Sequence, residues 1–91
     1  MKITVTQHGE HSTSFKQFMA PDGCDRVEFF KDQECLSLAG VKLKEESVLN
    51  LARQGFLRDT AFILYHMADG SNKLDVISYE GFESPPYITV S

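Results

Sequence analysis

Thr60-Ala-Phe-Ile-Leu-Tyr-His-Met67, Ala68-Asp-Gly-Ser-Asn-Lys73 and Leu74-Asp-Val-Ile-Ser-Tyr-Glu80 form the stretch that decides the fold class. Two runs rich in β-branched and aromatic residues flank Asp69-Gly70, the strongest short-range hairpin signal in residue chemistry. The architecture is therefore sheet-based. The stretch also holds His66, the only histidine set inside an apolar run. With a turn of even length, Phe62, Leu64 and His66 share a face with Lys73, Asp75, Ile77 and Tyr79. Ile63, Tyr65 and Met67 then share the other face with Leu74 and Val76, and that apolar face is expected to be core. On the first face His66 and Asp75 become diagonal cross-strand neighbours, a possible polar pair. A carboxylate beside an imidazole orients it and favours its charged form, as in a general base or a pH switch. No Ser or Cys nucleophile accompanies them, so the pair reads first as a surface contact.

Working outward, Lys2–Gln7 alternates with Ile3 and Val5 on one face and reads as a strand, followed by a polar loop over His8–Thr13. Ser14–Ala20 and Asp25–Asp32 flank Pro21-Asp22-Gly23, which suits a type I turn with glycine in the left-handed position. A hairpin there sets Phe15 opposite Phe29, Gln17 opposite Val27 and Lys16 opposite Glu28. A further reversal at Asp32-Gln33 carries the apolar face on to Leu36 and Leu38, which predicts a meander. Ala39-Gly40 breaks the alternation, and a helix is expected over Lys44–Gln54 with Gly55 as its stop. About ten residues of helix are too few to stand alone in water, so this one must dock on the sheet. In the tail, Pro85-Pro86 enforces an extended backbone, and Ile88-Thr89-Val90 echoes Ile3-Thr4-Val5. Both triplets are candidate edge strands, with 84–91 either an edge strand or an extended arm.

These readings combine into one α+β domain over residues 1–91: an antiparallel sheet of five or six strands with one short helix packed on one face. The expected core is Ile3, Val5, Phe15, Val27, Phe29, Leu36, Leu38, Val48, Leu49, Ala52, Ile63, Tyr65, Leu74 and Val76. A chain of 91 residues has a thin core and little room for a pocket of roughly 300–1,000 Å³.

Composition narrows function more by exclusion than by assignment. The net charge is −4, and the nine Lys and Arg residues are spread along the chain. A phosphate backbone needs a concentrated basic face, so nucleic-acid binding is disfavoured. The start of the chain runs straight into a strand-like alternation, and no run of about 20 apolar residues occurs, so no membrane insertion is expected and a cytoplasmic location is. No glycine-rich phosphate loop, paired CxxC, HExxH or GxSxG motif ties the chain to a known family or a cofactor, and none is expected.

His8-Gly-Glu-His11 brings two imidazoles and a carboxylate into one loop. Zinc needs three or four ligands, and no second paired motif supplies them, so ordinary loop histidines are the simpler reading. In the meander, Cys24 and Cys35 lie too far apart for a disulfide, which predicts reduced thiols. The aromatics Phe18, Phe30, Phe82 and Tyr87 fall outside the expected core. Phe18 and Phe30 take the face opposite Phe15 and Phe29, with Arg26 as the cross-strand partner of Phe18. An aromatic beside an arginine is a common interface anchor, so these five residues are the candidate protein-interaction set.

The expected function is a small non-enzymatic protein-binding module, a regulator or inhibitor acting through sheet edges or an aromatic sheet face. The expected partner is another protein or a second copy in a homodimer. The alternative is a small enzyme or metal-binding protein using His66 with Asp75, or His8 with His11.

Overall fold

The computed structural model describes residues 1–39 and 59–91. Its elements run β1 (Lys2–His8), β2 (Thr13–Met19), β3 (Cys24–Phe30), α1 (Gln33–Leu38), β4 (Thr60–Met67), β5 (Asn72–Ser78) and β6 (Tyr87–Val90). The strands form two three-stranded antiparallel sheets, ordered β2-β1-β6 and β3-β4-β5. The antiparallel expectation holds. The single five- or six-stranded sheet with a packed helix does not: the described residues are mainly β, in two layers, with one six-residue helix.

β1 and β2 are a hairpin closed by the loop whose Gly9 N–H donates to the Ser12 carbonyl at 2.7 Å. β1 also pairs with β6, placing Ile88 opposite Val5 and Val90 opposite Ile3. The two Ile-Thr-Val triplets therefore meet each other. Among the described residues β6 is an edge, whereas β1 is the central strand of its sheet rather than an edge.

Between β2 and β3 the local turn forms: Gly23 has φ +85° and the Cys24 N–H donates to the Pro21 carbonyl at 3.2 Å. The strands it joins nevertheless part into different sheets. β2 continues its ladder with β1, while the Gly23 carbonyl accepts the Ala68 N–H at 2.7 Å and leads β3 onto β4. No Phe15–Phe29 pair exists. Phe15 is 63% exposed on the outer face of its sheet, and Phe29 is partly exposed, so neither belongs to the core.

The chain does not reverse at Asp32-Gln33 into a third strand. Leu36 and Leu38 lie on α1 instead. Asp32 caps this helix, its Oδ1 accepting the Cys35 N–H at 2.7 Å while its carbonyl accepts the Leu36 N–H. A six-residue helix has no stability of its own. It is held by Leu36, which is buried with Phe30, Phe62 and Leu64 on the outer face of the β3-β4-β5 sheet. The expected helix over Lys44–Gln54, with core residues Val48, Leu49 and Ala52, lies outside the described residues.

The main core joins the two layers through Ile3 and Val5 of β1 and Ile63 and Tyr65 of β4, with Phe18, Val27, Ile77 and Ile88 packed around them. β4 is thus buried on both faces from Thr60 to Tyr65, which is why its sequence is a continuous apolar run rather than an alternation.

The β4–β5 hairpin is present, but its connection is odd. Met67 pairs with Ser71, leaving Ala68-Asp69-Gly70 as a three-residue loop with Gly70 at φ +86°. The register sets Phe62 opposite Val76, Leu64 opposite Leu74 and Ile63 opposite Asp75. An even turn inverts this assignment, because one residue of slip exchanges the faces of β5. Val76 therefore points away from the other sheet and is 40% exposed, outside the core. Leu74 packs with the Phe62–Leu64 cluster, and Asp75 faces the interior between the sheets.

Candidate functional site

Three features of the described surface can carry chemistry or binding. The first is the outer face of the β2-β1-β6 sheet. Alternation sends Ile3 and Val5 inward, so Lys2, Thr4, Thr6 and His8 point out. Pairing extends these into rows across the sheet: Phe15–Thr6–Tyr87, Gln17–Thr4–Thr89, and Met19 beside Lys2. Phe15, Met19 and Tyr87 are 63%, 66% and 66% exposed. Two aromatic rings flank a threonine two strand spacings apart, about 9.6 Å. The strand residues of this face include no Asp or Glu, in a chain of net charge −4.

The second feature is an open cleft of about 490 Å³ between the two layers, lined by Val5, Gln7, Lys16, Phe18 and consecutive residues Asp75–Ser78 of β5. A pocket of this size was not expected from chain length. It lies where β1 and β2 of one layer face β5 of the other, beside the Gln7 amide that donates to the Ser78 carbonyl at 3.4 Å. Buried Tyr65 donates its hydroxyl to Asp75 Oδ2 at 2.5 Å beside this cleft. Burial, reinforced by that hydrogen bond to an anion, pushes the Tyr65 phenol well above its ordinary value near 10. Lys16 Nζ sits 5.6 Å over the Phe18 ring.

The third feature surrounds His66. Its Nε2 lies 2.6 Å from Glu28 Oε1, which also lies 3.2 Å from Arg26 Nη2. With Nε2–H donating, Glu28 accepts from both the imidazole and the guanidinium. The structure does not bring His66 and Asp75 together. They point to opposite faces of the sheet, Asp75 holding Tyr65 and His66 holding Glu28. Among the described residues no Ser or Cys bonds to the side chains of Arg26, Glu28 and His66, which are 26–65% exposed. Chemically the cluster is a surface ion pair, Arg26–Glu28, with His66 hydrogen-bonded to the carboxylate.

The remaining singled-out residues are dispersed. His8 Nδ1 lies 3.4 Å from Thr13 Oγ1, while exposed His11 lies 3.9 Å from Glu10. Among the described residues no three His, Cys, Asp or Glu side chains converge as a metal site. Both cysteines are free thiols. The Asp32 carboxylate bonded to Cys35 pushes that thiol up, which disfavours the nucleophilic thiolate. Of the five interaction candidates, Phe18 points inward, Phe30 is buried under α1 and Phe82 lies against Gly9. Arg26 belongs to the His66 cluster, and Tyr87 is about two-thirds exposed. The partner of Tyr87 on the exposed face is Phe15, which the meander register placed in the core.

Comparisons with known protein families, with curated proteins and with solved structures find no match. Among the described residues no helix is long and apolar enough to cross a membrane.

Proposed function

We propose that the chain is a small protein-binding module, of regulatory or inhibitory kind, that presents the outer face of the β2-β1-β6 sheet to a partner protein. The observation that carries this reading is the row Phe15–Thr6–Tyr87, with both rings about two-thirds exposed on the outer face of the sheet. Burying a large apolar side chain is worth roughly 1.5–3 kcal/mol, and Phe15, Met19 and Tyr87 leave that gain unrealised in the free chain. Aromatic and Met side chains are the types enriched at the centres of interfaces. The absence of Asp and Glu from this face favours a partner surface that is neutral or acidic.

The test is cross-linking in extract of the native source, read by mass spectrometry, with the natural chain beside a Phe15→Ser, Tyr87→Ser variant. The partner's cross-links are expected to map to β2 and β6 and to disappear in the variant, whose thermal unfolding stays unchanged. Capture that survives the double substitution, or cross-links that map elsewhere, overturns the reading.

A further inference from the structure

We propose that the outer edge of β5, which pairs with no further strand among the described residues, is a self-association site. A second copy of the chain adds antiparallel to β5 across a two-fold axis, in the one register that sets Lys73 of each copy opposite Asp75 of the other.

The main chain supplies the first half of the argument. β5 is seven residues long, pairs with β4 without a register shift, and is the last strand of its sheet among the described residues. At the two ends of the β4–β5 ladder, the Met67 N–H donates to Ser71 and the Tyr79 N–H donates to Asp59. Hydrogen-bonded pairs alternate along an antiparallel ladder, so the odd-numbered residues of β5 bond to β4. Asn72, Leu74 and Val76 therefore turn their N–H and C=O groups outward, a template for one more strand.

Side chains then select the partner and the register. Lys73 and Asp75 share a face, are both exposed, and form no ion pair among the described residues; Asp75 takes only the Tyr65 hydroxyl. Charges of a single sign on a free edge repel a second copy in every register. Opposite signs two residues apart leave one register open. With Leu74 opposite the second copy's Leu74, each Lys73 meets an Asp75 in the non-hydrogen-bonded position, where side chains approach most closely. Shifting by two residues sets Lys73 against Lys73 or Asp75 against Asp75, which is unfavourable. Shifting by one breaks the match of outward main-chain groups. The permitted register also brings the two Leu74 side chains together and covers Val76, which is 40% exposed.

The other edges lack this combination. β3 has the same charge spacing in Arg26 and Glu28, but Glu28 is already bound by Arg26 and His66, and the β3–β4 ladder slips between Cys24 and Arg26. β2 carries one charge, Lys16, and no acid to complement it. β6 has four residues.

Analytical ultracentrifugation of the full chain at up to about 1 mM decides the matter, a range that detects even millimolar dissociation constants. The natural chain is expected to dimerise. Lys73→Glu and Asp75→Lys are each expected to weaken the dimer at least tenfold, because each creates two like-charge contacts. An equimolar mixture of the two restores it, since both cross-copy pairs become attractive. Val76→Pro removes an outward N–H that bonds to nothing among the described residues, so it leaves the monomer folded and abolishes the dimer. Should Asp75→Lys fail to fold by circular dichroism, Lys73→Glu and Val76→Pro decide alone. A monomer at every concentration, a dimer that survives Val76→Pro or Lys73→Glu, or a mixture of folded variants that stays monomeric overturns the proposal. Phe15→Ser with Tyr87→Ser leaves this dimer intact, so it fails or stands apart from the aromatic face.

Discussion

Tyr65 joins the two layers by packing and ties β4 to β5 within its own sheet through its hydroxyl. Its ring is 1% exposed within the shared core, and its hydroxyl reaches the Asp75 carboxylate. Hydrogen bonds to a charged group are worth about 1.5–3 kcal/mol, so Tyr65→Phe is expected to lose about that much in urea unfolding at pH 7. The raised phenol adds a pH signature. The unfolded chain releases the tyrosine proton near pH 10 while the folded chain retains it, so the contribution is complete below pH 10 and falls as pH rises through the folded value. The stability difference between the natural chain and Tyr65→Phe should therefore shrink above pH 10. A difference that is flat across pH 7–11 would show that the hydroxyl is not held in this way. The sequence marked both Tyr65 and Asp75 as notable but paired Asp75 with His66. The error came from loop parity alone, because one residue more or fewer in the turn exchanges the faces of β5.

Parity is a property of the hairpin as an element, and Gly70 sets it. Its φ of +86° closes a three-residue loop, and nothing lies within 4 Å of a Cβ added there. Asp69 supports the same turn by accepting from the Ser71 N–H at 2.9 Å and from its hydroxyl. Space is free, so only backbone strain opposes a side chain. Gly70→Ala should cost about 1–2 kcal/mol, and Gly70→Asn less, since Asn tolerates the left-handed region. Equal costs for Ala and Asn, measured by urea unfolding, would point to a steric cause instead. The hairpin's existence was legible because Asp-Gly is a local signal. The β2–β3 relation was not. Pro21-Asp22-Gly23 makes its turn whether the following strand folds back on β2 or crosses to the other layer. The alternation of Phe15, Gln17, Val27 and Phe29 fits either outcome. What decides is the competition of β1 for β2 and of β4 for β3, and no local pattern encodes it.

At the scale of the whole molecule, two layers rather than one sheet determine which apolar residues are structural. A meander places Phe15 in the core and leaves Phe18 and Phe30 as spare aromatic surface. Two layers do the reverse: Phe18 and Phe30 are packed, while Phe15 joins Tyr87 outside. The candidate interaction face was therefore legible in kind, as aromatics left over by a thin core, but not in membership beyond Tyr87. Ile3 and Phe15 separate the two architectures in one experiment. Ile3 is 0% exposed at the centre of the interlayer core, so Ile3→Ala loses a buried side chain and leaves a cavity, costing about 2–5 kcal/mol. Phe15→Ala removes a larger side chain from solvent and should change stability by no more than about 0.5 kcal/mol. Urea unfolding of both variants reads the contrast directly. A cost for Phe15→Ala approaching that of Ile3→Ala would return Phe15 to the core, and with it the single-sheet arrangement. The opposite result keeps Phe15 free to meet a partner, which is the condition on which the proposed binding face depends.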